Sequence, residues 1–320
     1  PIFMIILNFK RRIEKQENTA VVTGSSTGIG LETSLLLARS GFYTYATMRD
    51  TNKRQIIEKI ANKENLPLEV LCMNVDHCQS VKKTIQKILD KSKQIDILVN
   101  NAGYGLFGAL EDISIGAIKK QFETNLFGAV RTIKEILPIM RKQRNGIIIN
   151  VSSISGIVGF PAQSVYVSTK FALEGLSEAI SYELEQYGIK VILIEPGVVN
   201  TNFAPNIKLP NPINNKSQQT MLKEQKPAID HSNNDTKKGN CSHYSSTVDT
   251  FLSHYYQAMK NAPLPQEVAA VILESIINST NSSECLFRYT VGEDAKTFSE
   301  SKKNMSDSQL HKFISKRLLS

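Results

Sequence analysis

Cysteine is scarce. The 320 residues hold four, Cys72, Cys78, Cys241 and Cys285. None forms a C-x-x-C pair, no histidine stands at metal-ligand spacing, and the adjacent His77 and Cys78 do not make a zinc site. A disulfide scaffold is thereby excluded, no metal is expected, and the few unpaired thiols fit a reducing compartment, the cytoplasm. Long apolar runs are also lacking. Pro1–Phe9 is apolar, but a bilayer span takes about 20 residues. Its basic residues, Lys10-Arg11-Arg12, follow the apolar part, whereas in a secretory signal they precede it. Residues 1–17 are read as an N-terminal extension, with a weak interfacial anchor as the alternative. There is no internal repeat. Acidic residues are outnumbered, 30 against 38 basic, for a net charge of +8. The whole excess lies in residues 1–17, 205–250 and 296–320. The basic tail lacks interleaved aromatics and clustered arginines, so a solvated surface is expected there and no nucleic-acid partner.

An ordinary composition remains, 41% apolar and 21% charged, which excludes a disordered or collagenous chain. Short β-branched runs alternate with helical patterns. Strands are expected at Thr19–Thr23, Phe42–Met48, Leu68–Met73, Ile95–Asn100, Gly146–Ser152, Ile189–Ile194 and Cys285–Val291. Helices are expected at Ile29–Ser40, Lys53–Asn62, Ser80–Lys91, Ile115–Thr124, Gly128–Arg141, Val167–Tyr187, Val248–Lys260 and Gln266–Asn278. Strands and helices in alternation indicate parallel βαβ units, and continuous apolar strands indicate a sheet covered on both faces. The expected fold is α/β, a doubly wound Rossmann-type sheet of seven mainly parallel strands with helices on both faces. It forms a single domain over residues 18–295. Residues 205–247 are polar and aperiodic and read as a lid insertion. Residues 296–320 read as a helical tail, around Asp307–Leu318.

The first strand runs into Gly24-Ser25-Ser26-Thr27-Gly28-Ile29-Gly30 and then a helix. Glycines permit a tight turn and close approach to a pyrophosphate, and a helix N-terminus offers N–H groups to it. The G-x-x-x-G-x-G spacing resembles that of the short-chain dehydrogenase/reductase family. Asn100-Asn101-Ala102-Gly103 matches the family's turn after the fourth strand. Ser153 precedes Tyr166 by the family's thirteen residues, and Tyr166-Val167-Ser168-Thr169-Lys170 puts Tyr and Lys on one helix face. Asn125 matches the Asn of the family's tetrad, and Pro196-Gly197-Val198-Val199-Asn200-Thr201 matches its nicotinamide turn. The segments Ala46–Asp50, Thr201–Phe203 and Arg288–Ala295 are similar to the retinol- and steroid-dehydrogenase-type branch.

The resemblance implies a dinucleotide held by Gly24, Ser26, Thr27, Gly28, Ile29, Gly30, Asn101, Ala102 and Gly103. Tyr166 and Lys170 would bind its nicotinamide ribose, and Pro196, Gly197, Val199 and Thr201 its carboxamide. After the third strand the family has Asp-Val, whose carboxylate caps the adenine amino group. Here Asn74-Val75 stand instead, with the Asn carbonyl as acceptor. At the end of the second strand Met48 occupies the place of the Asp usual in NAD-preferring relatives, and Arg49 follows. A guanidinium suits a 2′-phosphate, so NADP(H) is expected over NAD(H). The alternative is that Arg49 is a solvated charge paired with Asp50.

Carbonyl reduction develops charge on oxygen that must be protonated. Tyr166 would donate the proton, with Lys170 lowering its pKa, Ser153 holding the substrate oxygen, and Asn125 supporting a water that links Lys170 towards solvent. The reading is an oxidoreductase interconverting a carbonyl and an alcohol on a small hydrophobic substrate. An NADP(H)-binding sensor without turnover is the alternative. The resemblance further implies a homodimer or homotetramer, packed through the helices holding Asn125–Arg141 and Val167–Tyr187. Substrate walls are expected from Tyr104–Gly108, Ile154–Val165 and Phe203–Thr250.

Overall fold

Aliphatic and β-branched residues fill both faces of the strand segments, the pattern of a sheet covered twice. The computed structural model describes residues 18–210, 242–281 and 287–320. Strands β1 (Thr19–Thr23) and β5 (Gly146–Val151) are buried at every position. Together with β2 (Tyr43–Met48), β3 (Leu68–Cys72), β4 (Ile97–Asn100), β6 (Ile189–Pro196) and β7 (Arg288–Val291) they form one sheet in the order β3-β2-β1-β4-β5-β6-β7. Every pairing is parallel, so the expected sheet stands and is parallel throughout.

The helices are α1 (Gly28–Arg39), α2 (Gln55–Lys63), α3 (Cys78–Ser92), α4 (Ile115–Phe122), α5 (Gly128–Gln143), α6 (Ser164–Glu185), α7 (Ser245–Lys260), α8 (Pro265–Asn281), α9 (Glu293–Asn304) and α10 (Asp307–Leu318). Helices α1 and α8 cover one face, where Leu37, Val268, Ile272 and Ile276 pack on Val22, Val99, Ile149 and Ile192. Helices α3, α5 and α6 cover the other, where Val81, Ile85, Ile136 and Leu184 pack on Val21, Leu98 and Ile148. The break expected between two helices near residue 125 is no loop. A π-helical turn, Glu123–Phe127, runs α4 directly into α5.

Strand order reverses between β1 and β4, which opens a crevice at the C-terminal strand ends. A buried polar network fixes the sheet just below that crevice. Asn100 donates to Asn150 at 2.9 Å and accepts from Thr132 at 2.6 Å, and Asn150 donates to Ser177 at 2.8 Å. It ties β4 and β5 to α5 and α6.

The extension at 1–17, residues 211–241 of the expected lid, Cys241 and Cys285 lie outside the described residues. Helix α10 falls where expected, but the tail is more than a solvated surface. Leu310 and Ile314 are buried against Ile154, Val158 and Phe298. Among the described residues no helix is long and apolar enough to cross a membrane.

Asn150→Ala should cost about 2–4 kcal/mol of stability, because it strands the Asn100 amide donor in a dry core. Denaturant unfolding of the two proteins measures the difference.

Candidate active site

The β1–α1 turn passes through Gly24 (φ 72) and Gly28 (φ 60), left-handed values that suit glycine. At Gly30 the reason is space: a Cβ would meet Gly24 O and Asn101 Nδ2 at 2.4 Å. Asn101 locks this turn to the one after β4. Its side chain donates to Thr23 O at 2.9 Å and Gly24 O at 3.2 Å, while Thr23 Oγ1 accepts from Asn101 N and Ala102 N, both at 3.0 Å. Thr27 makes no side-chain cap bond, and the first turn of α1 carries no acid. The turn therefore presents N–H groups and a positive dipole end with no anion of its own, which fits a pyrophosphate.

A pocket of about 530 Å³ extends from this turn to α10. Of the residues expected to contact the dinucleotide, all but Gly30 line it. Gly30 lies behind the turn, where it permits the Asn101 lock. Asn74 lines the pocket, but its carbonyl oxygen also accepts from Asp76 N at 3.1 Å. The Asn so folded presents Asp76 to the pocket as well, and a carboxylate oxygen of Asp76 is buried without a hydrogen-bond partner.

Tyr166, Lys170 and Glu174 form a buried stripe on α6 at spacing i, i+4, i+8. Burial pushes the Tyr166 phenol up to about 12, while a hydrogen bond with Ser153 works in the opposite direction. Ser153 follows β5 and also caps the next turn, accepting from Ser155 N at 3.1 Å. Burial pulls Lys170 down to about 8, against the attraction of Glu174. Its ammonium donates to Val151 O at 2.8 Å and lies 5.7 Å from the centre of the Tyr166 ring.

Asn125 sits in the π turn and does not line the main pocket. Its amide nitrogen donates to Tyr104 O at 3.0 Å and Thr169 Oγ1 at 3.2 Å, and its oxygen accepts from Tyr104 N at 3.1 Å. It therefore pins the Gly103–Tyr104 backbone to α6. Between Asn125 and Lys170 is a separate pocket of about 10 Å³, close to the roughly 10–15 Å³ one water needs.

Sequence reasoning missed several residues. Asp294 at the start of α9 accepts from Val198 N at 2.7 Å, and a Cβ on Gly197 would meet its carboxylate at 2.1 Å. Arg288 on β7 pairs with Glu174 at 3.1 Å, Glu178 at 2.7 Å and Glu195 at 3.3 Å. Phe298, Arg317 and Leu318 bring the C-terminal helices to the pocket wall, beside the expected Tyr104, Phe160 and Phe203. Arg288 and Asp294 stand in the segment Arg288–Ala295, which carries the branch resemblance, and the tail residues in a helical apolar pattern; neither signal names a partner.

Two outcomes are expected. Gly30→Ala should weaken dinucleotide binding at least about tenfold, roughly 1.4 kcal/mol, because the Asn101 lock must move; fluorescence titration measures it. Lys170 in the dinucleotide-free protein should lose its charge as pH rises through about 8. Glu174→Gln should lower that midpoint, read by NMR on labelled lysine.

The family model for short chain dehydrogenases matches residues 18–211. A 3-ketodihydrosphingosine reductase of Bacteroides thetaiotaomicron is 39% identical over 191 residues, 60% of this chain and 67% of its own length. Retinol dehydrogenase 8 of Homo sapiens is 40% identical over 190 residues, 58% of this chain and 60% of its own. The crystal structure of a short-chain dehydrogenase from Streptomyces avermitilis superposes with a TM-score of 0.71 at 25% identity, covering 93% of this chain and 96% of that one. Other solved chains of the fold, 19% and 21% identical to this one, hold NAD and NADP. The chain belongs to the short-chain dehydrogenase family and within it resembles the retinol dehydrogenase type.

Proposed function

We propose that this protein is an NADP(H)-dependent oxidoreductase that interconverts a carbonyl and a primary or secondary alcohol on a hydrophobic substrate. One observation carries the reading: Ser153, Tyr166 and Lys170 meet between the dinucleotide cleft and an aromatic chamber. The nicotinamide supplies or accepts the hydride when bound. The chain's own residues handle the oxygen and its proton. Ser153 Oγ and the Tyr166 phenol donate hydrogen bonds to the carbonyl oxygen, where charge develops. Tyr166 then gives up its proton, and the Lys170 ammonium behind the ring stabilises the tyrosinate. A water in the small pocket beside Asn125 re-protonates Tyr166 by way of Lys170. In the oxidising direction Tyr166 is the base.

Arg49 just after β2, with Met48 in the place of the Asp usual in NAD-preferring relatives, supports NADP(H) over NAD(H). The chamber walls, Phe160, Phe203, Phe251, Tyr255, Phe298 and Leu318, favour an apolar substrate. The names of the two relatives, a ketodihydrosphingosine reductase and a retinol dehydrogenase, point to lipids. A homodimer through α5 and α6 is supported by large side chains left in solvent on α6 and in the π turn before α5, Phe171 at 44%, Tyr182 at 71% and Phe127 at 47% exposure.

Tyr166→Phe should lower kcat by about 10²–10⁴-fold with NADPH affinity retained. Steady-state kinetics paired with NADPH fluorescence titration check both, and undiminished turnover would remove the proton role from Tyr166. The kinetic efficiency with NADPH should exceed that with NADH, and Arg49→Ala should cut the ratio about tenfold. An NADPH-consumption screen over aldehydes, ketosteroids, retinoids and long-chain ketones separates an enzyme from a sensor that binds without turnover.

A further inference from the structure

After the turn at Gly197–Thr201 the chain does not leave the cleft. Residues 203–210 double back across it as a strap. Lys208 N donates to Gly105 O at 2.9 Å, and Phe107 N donates to Lys208 O at 3.0 Å, so that Leu106 and Lys208 form a parallel bridge. The strap is packed on both sides of this bridge. Ile207 is buried, and a Cβ on Gly105 would meet the Phe203 ring at 3.1 Å and one on Gly108 would meet Pro210 at 2.7 Å. The backbone thus gives side chain 208 a defined place. Its ammonium stands 4.4 Å from the centre of the Tyr104 ring.

That place is crowded with like charge. Arg49 from the end of β2, Lys53, Lys120 from α4 and Lys208 all line the pocket, and Arg49, Lys120 and the carboxylate of Asp76 stand close enough to Lys208 to act on its charge. Among the described residues, Arg49, Lys120 and Lys208 enter no ion pair. Burial first, then Lys120 and Arg49, push the Lys208 ammonium below its ordinary value, with Asp76 opposing. Cations gathered at a cleft without neutralising partners raise the local potential for an anion of more than one charge. The pyrophosphate has its own donors at the N-terminus of α1, on the Gly24–Gly30 turn. Lys208 sits with Arg49 and Tyr104.

We propose that Lys208 on the strap and Lys120 on α4 complete, together with Arg49, a cradle for the 2′-phosphate of the dinucleotide. The proposal rests on the NADP(H) reading above and deepens it. Arg49 supplies a planar fork on the sheet side. The two lysines are point charges on flexible stems that reach a phosphate dianion from the opposite wall. The strap then closes the adenosine end of the cleft by charge as well as by its backbone bridge.

The test is binding, with no turnover required. Isothermal titration of 2′,5′-ADP and of 5′-AMP is compared for the wild type, Lys208→Gln, Lys120→Gln and Lys208→Arg. Each Gln variant should bind 2′,5′-ADP about threefold to tenfold more weakly, with 5′-AMP changed less than about twofold. Lys208→Arg should keep the preference, and added salt should narrow it. Gln variants that bind 2′,5′-ADP like the wild type overturn the cradle. Equal losses on both nucleotides overturn it too, since they place the lysines on the 5′-phosphate. A wild type that binds both nucleotides alike overturns the NADP(H) reading itself. A wild-type preference with unchanged Gln variants leaves that reading intact and overturns the cradle alone.

Discussion

Burying the Lys170 ammonium is the constraint on which the site depends. A lone buried charge is expensive and tends to neutralise. Here it donates to Val151 O, at the end of the interior strand β5, and faces Glu174 one turn along α6. Glu174 is itself buried and needs a cation, and Arg288 on the edge strand β7 supplies it. Arg288 also reaches Glu195, whose carboxyl burial pushes up to about 7 and to which Thr290 donates. Alternating charges therefore run from α6 to the sheet edge. Strand β7 is seated by this chain of pairs as well as by its ladder with β6.

The C-terminal helices belong to the same logic. Asp294, in the first turn of α9, accepts from Val198 N and fills the space over Gly197. The turn expected to orient the nicotinamide is thus held by a residue about a hundred positions later. Helix α10 then lays Leu318 and Arg317 along the pocket wall. This alters the meaning of the net charge of +8. The excess lies in segments that seemed peripheral, yet Lys208 and Arg317 return from two of them to the cleft.

The fold was legible because its signals are local. Apolar runs buried on both faces, helical spacing and glycine turns each act within a few residues, and the strand order follows from βαβ connection rules. Tyr166 and Lys170 were legible for the same reason, as neighbours on one helix face. Asn125 was found by position, but its setting was not: a π turn leaves no plain periodicity, and its partner Tyr104 lies 21 residues away. Asp294, Arg288 and Lys208 are long-range partners on short or irregular elements. Nothing near them in sequence says which backbone they will meet.

Tyr166 resolves a conflict between the two halves of the site. The proposed apolar substrate would want aromatic walls, and Phe107 and Phe203 stand 5.7 and 5.9 Å from the Tyr166 ring. The same walls strip water from the phenol and raise its pKa, which would oppose the proton transfer proposed for it at neutral pH. The two demands are met on different sides of one ring. The aromatics lie toward the chamber, while Lys170 lies behind, tied to the sheet and kept from drifting into the apolar side by Val151 O. Were the ammonium free to follow the substrate's oxygen, it would lose the carboxylate that keeps it charged. Fixing Lys170 to the sheet lets the chamber be apolar without giving up the charge on which the proposed chemistry would draw.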